Sequence, residues 1–129
     1  MSCQEKGIGQ FSWNELMTTD MEGAKAFYGA LFGWEFVEHE AAAMPYSIAK
    51  LGETMVGGMM PKPDTVPAFV PPFWGAYITV EDVDMSAAKA VELGGKVLFP
   101  AMDIPGVGRF CVIQDPQGAV VSIIAYAAR

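Results

Sequence analysis

The sequence contains the same pattern twice, and this duplication restricts its folding more than any other feature. The first copy begins with a strand-like run at Trp13 and continues through Asp20 into an alanine-rich segment. The second begins at Gly75 and continues through Asp82 into a similar segment. After each helix-forming segment come a glycine and three more strand-like runs. The repeat predicts two half-size βαβββ modules with a ligand groove between them.

Length and composition predict one globular domain. The chain has 129 residues, of which 52% are hydrophobic and 18% charged, enough for a sizeable core. No apolar run approaches the roughly 20 residues that a membrane helix needs. Residues 1–7 lack the apolar stretch of a secretory signal, so a cytoplasmic location is expected. Cys3 and Cys111 are expected to be free thiols.

The charge balance restricts the class of partner. Fifteen acidic residues against eight basic ones give a net charge of −7. Nucleic acids and anionic membranes attract basic surfaces, so neither is an expected partner. The negative net charge would weakly favour a cationic small molecule as ligand, although a net negative charge also keeps a protein soluble.

Cap and turn signals predict the elements. Asp20 is typical of a helix N-cap, and Gly33 of a C-terminal stop. Five prolines within 61–72 exclude a helix or an interior strand there, so a semi-rigid linker is expected. The domain 1–129 then divides into module 1 (about 8–60), the linker and module 2 (about 73–127), an α+β fold. The predicted elements are strands at 10–17, 34–39, 44–51, 54–60, 73–81, 96–102, 108–114 and 119–126, and helices at 21–32 and 84–93.

Several motifs resemble those of the vicinal oxygen chelate superfamily. They are the paired βαβββ modules, the helix end at 24–34 and the Asp-Pro-Gln-Gly turn at 115–118. That superfamily includes glyoxalase I, bleomycin-resistance proteins, fosfomycin-resistance enzymes and extradiol dioxygenases. Segment 104–110 is most similar to a glyoxalase-like subgroup. The resemblance implies an eight-stranded, U-shaped incomplete barrel with the helices outside, and a homodimer.

The family's usual metal ligands are missing from this sequence. In the superfamily, His, Glu or Gln side chains hold a divalent metal, and the resemblance places those positions at Trp13, Gly75, Ser122 and near Val56. None of these side chains is a ligand for a metal that prefers imidazole or carboxylate. The single histidine, His39, ends a strand among glutamates and is expected to face solvent. The sequence therefore predicts no metal site and no cofactor.

Glu15 is the candidate catalytic residue. Strand alternation places it on the inward face of an otherwise apolar strand. A buried carboxylate must be paired or protonated, and either state could bind a cation or transfer a proton. The alternative is a structural role, in which Glu15 is solvated at the cavity mouth or pairs with Arg109.

Aromatic, thioether and small side chains are predicted to line the ligand site. Such walls suit a flat or hydrophobic molecule, although the same residues could simply fill the barrel. Arg109 could contact an anionic group or lie exposed on the surface. The predicted ligand-binding residues are Trp13, Glu15, Met17, Tyr46, Val56, Gly58, Gly75, Tyr77, Arg109 and Ser122.

The sequence thus predicts a glyoxalase-like protein that binds a small organic molecule in the inter-module groove without a metal. If it is an enzyme, Glu15 would act as general acid or base, and Tyr77 or Ser122 would position a carbonyl or hydroxyl group. Lyase, isomerase and hydroxylase-type reactions are all compatible with these groups. The alternative is a non-catalytic protein that sequesters a small molecule, as bleomycin-resistance proteins do.

Overall fold

The computed structural model describes residues 7–39, 45–64, 66–104 and 107–127. Two βαβββ repeats follow one another, and the predicted α+β class is confirmed. The predicted elements match the observed ones closely, including both ends of the first helix. The elements are β1 (Phe11–Thr18), α1 (Met21–Phe32), β2 (Glu35–Glu38), β3 (Ser47–Leu51), β4 (Thr54–Pro61), β5 (Phe73–Thr79), α2 (Val83–Glu92), β6 (Lys96–Ile104), β7 (Gly108–Gln114) and β8 (Val120–Tyr126).

Aspartates begin both helices, as the sequence predicts for Asp20. One oxygen of Asp20 accepts the Gly23 N–H at 2.9 Å, and one of Asp82 accepts the Met85 N–H at 3.0 Å. Each contact satisfies a backbone donor that has no partner within the helix. Helix α1 ends at Gly33, whose φ of 77° favours glycine. Neither of these helices has the length and apolarity that crossing a membrane requires.

The chain forms two compact units. The N-terminal unit is Trp13–Gly75, and the C-terminal unit consists of residues 76–127 together with residues 7–12. Residues 7–12 join the C-terminal unit because Gly9 and Gln10 exchange backbone hydrogen bonds with Thr79. Each unit is described by itself below.

The N-terminal unit has the strand order β2-β3-β4-β1. Strands β1 and β4 are parallel, and the other neighbours are antiparallel. Leu16 lies opposite Met59, and both side chains are buried. On the α1 side, Tyr28 stacks on Trp34 at 5.7 Å between ring centroids and accepts a 3.1 Å hydrogen bond from the Trp74 indole. This aromatic cluster attaches α1 to the unit.

The C-terminal unit has the order β5-β8-β7-β6, with β5 and β8 parallel. Its core is Val83 from α2 packed on Cys111 and Ile123. The Cys111 thiol is free and lies 3.2 Å from the Phe99 carbonyl oxygen. Burial raises the pKa of this thiol above its usual range. Cys3 lies outside the described residues.

The proline-rich segment folds around a lysine. The Lys62 ammonium donates to the carbonyl oxygens of Pro67, Ala68 and Val70. Two turns, closed by the Val66 and Val70 N–H groups, shape the same stretch. A single cation therefore organises this part of the chain as a compact loop.

Candidate functional site

An indole and a phenol meet on one face of the N-terminal unit. The Trp13 indole N–H donates a hydrogen bond of 2.9 Å to the Tyr46 hydroxyl. The same phenol lies against the β4 backbone at Gly58, in the space where a side chain at that position would be. Glycine is therefore required at position 58 for Tyr46 to take this position.

Glu15 lies on the same face as this pair. Its strand register sets it opposite Gly58, and strand alternation places Trp13 and Met17 on either side of it. The side chain is only 6% exposed. The structure thus brings four predicted site residues together: Trp13, Glu15, Tyr46 and Gly58.

The remaining predicted residues of this unit lie nearby. Met17 is opposite Met60, one pleat along from Glu15. Val56 precedes Gly58 by one pleat and is half-buried. At Gly75, a Cβ atom would lie 3.9 Å from the Glu15 carbonyl oxygen, which is an ordinary contact distance.

The strand registers correct one predicted correspondence between the repeats. Ser122 lies opposite Tyr77, as Gly58 lies opposite Glu15. Tyr77 and Glu15 occupy equivalent positions in the duplicated pattern, so the counterpart of Ser122 is Gly58 rather than Val56. The sequence prediction was off by one pleat because no motif marks the register between β1 and β4.

In the C-terminal unit, Tyr77 and Ser122 are buried side by side. The Tyr77 ring lies 6.2 Å from that of Phe110, which in turn stacks on Phe99 at 5.7 Å. This face is therefore aromatic with hydroxyl groups at its centre.

Arg109 does not share that face, which corrects its predicted role as a ligand contact. Its register partner on β8 is Ala125, on the side covered by α2, whereas Phe110 is opposite Ile124 on the Tyr77 side. The guanidinium donates two 3.0 Å hydrogen bonds to Asp84 and one of 3.2 Å to Asp103. These bonds lower the pKa of Asp84 and raise the pKa of Arg109.

Sequence reasoning missed one polar pair. The Ser12 and Tyr126 hydroxyl groups are 2.7 Å apart, although 114 residues separate them in the chain. No motif links these two positions, and only the pairing of strands brings them together.

Comparisons with known proteins settle the family. A family model described as Glyoxalase/Bleomycin resistance protein/Dioxygenase superfamily matches residues 7–123. The chain belongs to this superfamily. The resemblance seen in the repeats, helix end and turn is therefore confirmed.

Two curated relatives of this superfamily member are longer proteins. It is 44% identical to "Putative glyoxylase CFP32" of Mycobacterium tuberculosis (strain CDC 1551 / Oshkosh) over 117 residues, or 90% of this chain and 44% of that protein. It is 32% identical to the anthracycline biosynthesis protein DauV of Streptomyces sp. (strain C5) over 116 residues, or 90% of this chain and 41% of that protein. The chain spans less than half the length of these relatives.

Solved structures share its fold. The crystal structure of methylmalonyl-CoA epimerase from Mycobacterium tuberculosis aligns with a TM-score of 0.65. The alignment covers 97% of this chain and 95% of that one at 14% sequence identity. At that identity the likeness extends to the fold alone.

The metal positions of the superfamily hold unsuitable side chains in this glyoxalase-like chain. Trp13, Gly75, Ser122 and the register-corrected Gly58 supply no imidazole or carboxylate. Within the described residues, no group of three or more His, Cys, Asp or Glu side chains could hold a metal ion. The residues present do not fit the usual divalent metal.

Proposed function

We propose that this chain binds a small, flat organic molecule on the face of the N-terminal unit that carries Trp13, Glu15 and Tyr46, without a divalent metal. The observation that carries the proposal is the burial of Glu15 to 6% exposure beside the indole–phenol pair. Carboxyl groups held away from bulk water beside aromatic side chains are concentrated at functional sites, so this placement favours a role with a ligand.

The chemistry available there is proton transfer. A carboxyl group shielded from bulk water can give a proton to a ligand, or take one, without competition from solvent. The Trp13 and Tyr46 rings supply flat surfaces for an aromatic or hydrophobic molecule. These groups support a lyase, isomerase or hydroxylase-type reaction in which Glu15 is the acid or base.

The relatives support an aromatic ligand. One of them takes its name from anthracycline biosynthesis, and anthracyclines are flat, oxygenated aromatic compounds. Another is named as a glyoxylase, which supports an enzymatic role. Both names belong to longer proteins, and they bear on this chain only through the region that it shares with them.

The second candidate is sequestration without chemistry. The net charge of −7 favours it, since an acidic protein attracts cationic compounds. Turnover distinguishes the two functions, because an enzyme consumes its ligand whereas a sequestering protein returns it intact. Mass spectrometry of the ligand recovered after incubation measures this difference.

The test of the proposal is Glu15→Gln, which keeps the shape but removes the charge and the proton affinity. Ligands are first found by thermal shift with and without divalent metals. We expect Glu15→Gln to lower affinity or turnover about tenfold or more while Tm stays similar or rises. Glu53→Gln, at an exposed turn, is the matched control and should change neither quantity.

The opposite pattern would show that Glu15 is structural. In that case Glu15→Gln would lower Tm sharply and leave ligand affinity unaltered. The tyrosines of the two units would then be the candidate polar contacts for a ligand.

A further inference from the structure

A buried hydroxyl group in the C-terminal unit, that of Thr79, has no hydrogen-bond partner among the residues that the structure describes. Thr79 is 6% exposed, and no atom of the described residues hydrogen bonds with its Oγ1. Burying a hydroxyl group without a partner reduces stability, and valine would fill the same volume without that cost. The retained hydroxyl group at this position therefore favours a ligand contact.

The hydrogen bond between the Ser12 and Tyr126 hydroxyl groups passes over strand β5 near Thr79. Gly9 and Gln10 hydrogen bond with the Thr79 backbone at 2.7 and 3.0 Å, so the N-terminal segment runs along one side of β5. Strand β8 runs along the other side, where Ile124 lies opposite Thr79 and Tyr126 is one pleat further on the same face. The 2.7 Å bond between Tyr126 and Ser12 therefore bridges the face of β5 that carries Thr79.

The bulge that permits this arrangement requires Gly9. Its φ of 84° lies in the left-handed region, and residues 9 and 10 together oppose the single residue Thr79. This geometry carries the N-terminal segment past Thr79 and brings Ser12 within reach of Tyr126.

The surrounding face is uncharged and aromatic. The strand register places Tyr77, Ser122 and Phe110 on this face. Strands β5, β7 and β8 contribute no charged residue to it. Arg109 lies on the other side of the sheet with Asp84 and Asp103. A neutral ligand is therefore favoured over an ionic one.

We propose that the Thr79 hydroxyl group donates a hydrogen bond to the carbonyl oxygen of a neutral aromatic ketone or quinone. The ligand ring packs against Tyr77 and Phe110. Rotation of the Tyr126 side chain lets the carbonyl oxygen of the ligand reach the Thr79 hydroxyl group. The inference rests on the proposed function in that the protein takes an organic ligand. It adds the chemical class of the ligand, and it adds a hydrogen-bond donor, Thr79, whose contact with the ligand does not depend on Glu15.

The experiment compares α-tetralone with tetralin, which has the same bicyclic frame but no carbonyl group. Affinities are measured by NMR chemical-shift titration of the full chain. We expect wild type to bind α-tetralone more tightly than tetralin. Thr79→Val should weaken α-tetralone binding about five- to tenfold, leave tetralin binding unchanged and raise Tm by about 3 °C. Thr79→Ser keeps the hydroxyl group and should retain the preference for the ketone.

Three outcomes would overturn the inference. They are equal affinity of wild type for the two probes, α-tetralone affinity unaffected by Thr79→Val, and no α-tetralone binding up to its solubility limit. Titrating Glu15→Gln with the same probes separates this inference from the proposed function. If only Glu15→Gln weakens α-tetralone binding, the Thr79 anchor is wrong; if only Thr79→Val weakens it, the Thr79 anchor stands, and the role of Glu15 is decided by the ligands found in the thermal-shift screen.

Discussion

The Tyr46 phenol occupies the space that a side chain at position 58 would need. Glycine inside a strand normally reduces stability, because it has no side chain to pack and loses more backbone entropy on folding. Here the missing side chain lets the phenol reach the Trp13 indole and lie beside Glu15. A single residue type thus determines the shape of this face.

We predict that Gly58→Ala destabilises the protein by about 1–3 kcal/mol, because the new methyl group and the phenol would overlap. Urea unfolding measures the effect. Gly75→Ala is the matched control: its Cβ would lie no closer than 3.9 Å to the neighbouring atoms, so its cost should stay within about 0.5 kcal/mol. Equal stability of the two variants would contradict the position of Tyr46.

At the scale of elements, Arg109 links the first turn of α2 to the strands of the C-terminal unit through an ion pair with Asp84. It lies on β7 and holds Asp84 of α2 and Asp103 of β6 at once. The paired geometry with Asp84 is stronger than a single contact, although exposure to water and salt reduces its contribution.

The Asp84 pairing predicts a specific acid sensitivity. Arg109 lowers the pKa of Asp84 below its usual value of 3.8, so the pairing contributes fully above that pH and is lost as pH falls through the folded pKa. We expect the Tm of Asp84→Asn to fall less than that of wild type between about pH 5 and pH 2.5. Calorimetry across this range measures the difference.

The control for this prediction is Asp64→Asn, which removes the same charge at an exposed site in the proline-rich loop. It should follow the wild-type acid profile. High salt should reduce the difference between wild type and Asp84→Asn, since screening weakens exposed pairs. Parallel acid profiles for wild type and Asp84→Asn would show that the pairing adds nothing to stability.

At the scale of the whole molecule, the duplication supplies equivalent positions with different chemistry. The pair Glu15 and Gly58 in one repeat corresponds to Tyr77 and Ser122 in the other. One repeat therefore offers a carboxyl group beside an indole–phenol pair, whereas the other offers hydroxyl groups beside phenylalanines. The superfamily's metal positions have side chains that cannot replace the usual ligands.

We predict that the purified protein holds no stoichiometric Zn, Ni, Fe or Mn. The reason is that Trp13, Gly58, Gly75 and Ser122 offer no ligand that these metals prefer. Elemental analysis after gel filtration tests this directly. About one metal ion per chain, lost on substitution of Glu15, would show that a different set of ligands operates.

We also predict a homodimer at micromolar concentration, because members of this superfamily commonly form dimers. Sedimentation equilibrium should give a mass of two 13.9 kDa chains. A mass near that of one chain, unchanged on concentrating, would be evidence against the dimer.

The sequence by itself determined the elements and the family of this protein. Aspartate caps and glycine stops are local signals, so the first helix could be located from Asp20 and Gly33, the residues that begin and end it. Alternation along the strands likewise predicted that Glu15 shares a face with Trp13 and Met17. These features depend on neighbours within a few positions, which the sequence shows directly.

Only the tertiary structure decided the contacts that join distant residues. It placed Gly58 opposite Glu15, set Arg109 against Asp84 instead of beside Tyr77, and joined Ser12 to Tyr126 across 114 residues. Strand register and the direction of long side chains follow from packing of the whole sheet, because a shift of one residue reverses every face. The lack of a hydrogen-bond partner for the Thr79 hydroxyl group among the described residues likewise depends on which distant residues surround it.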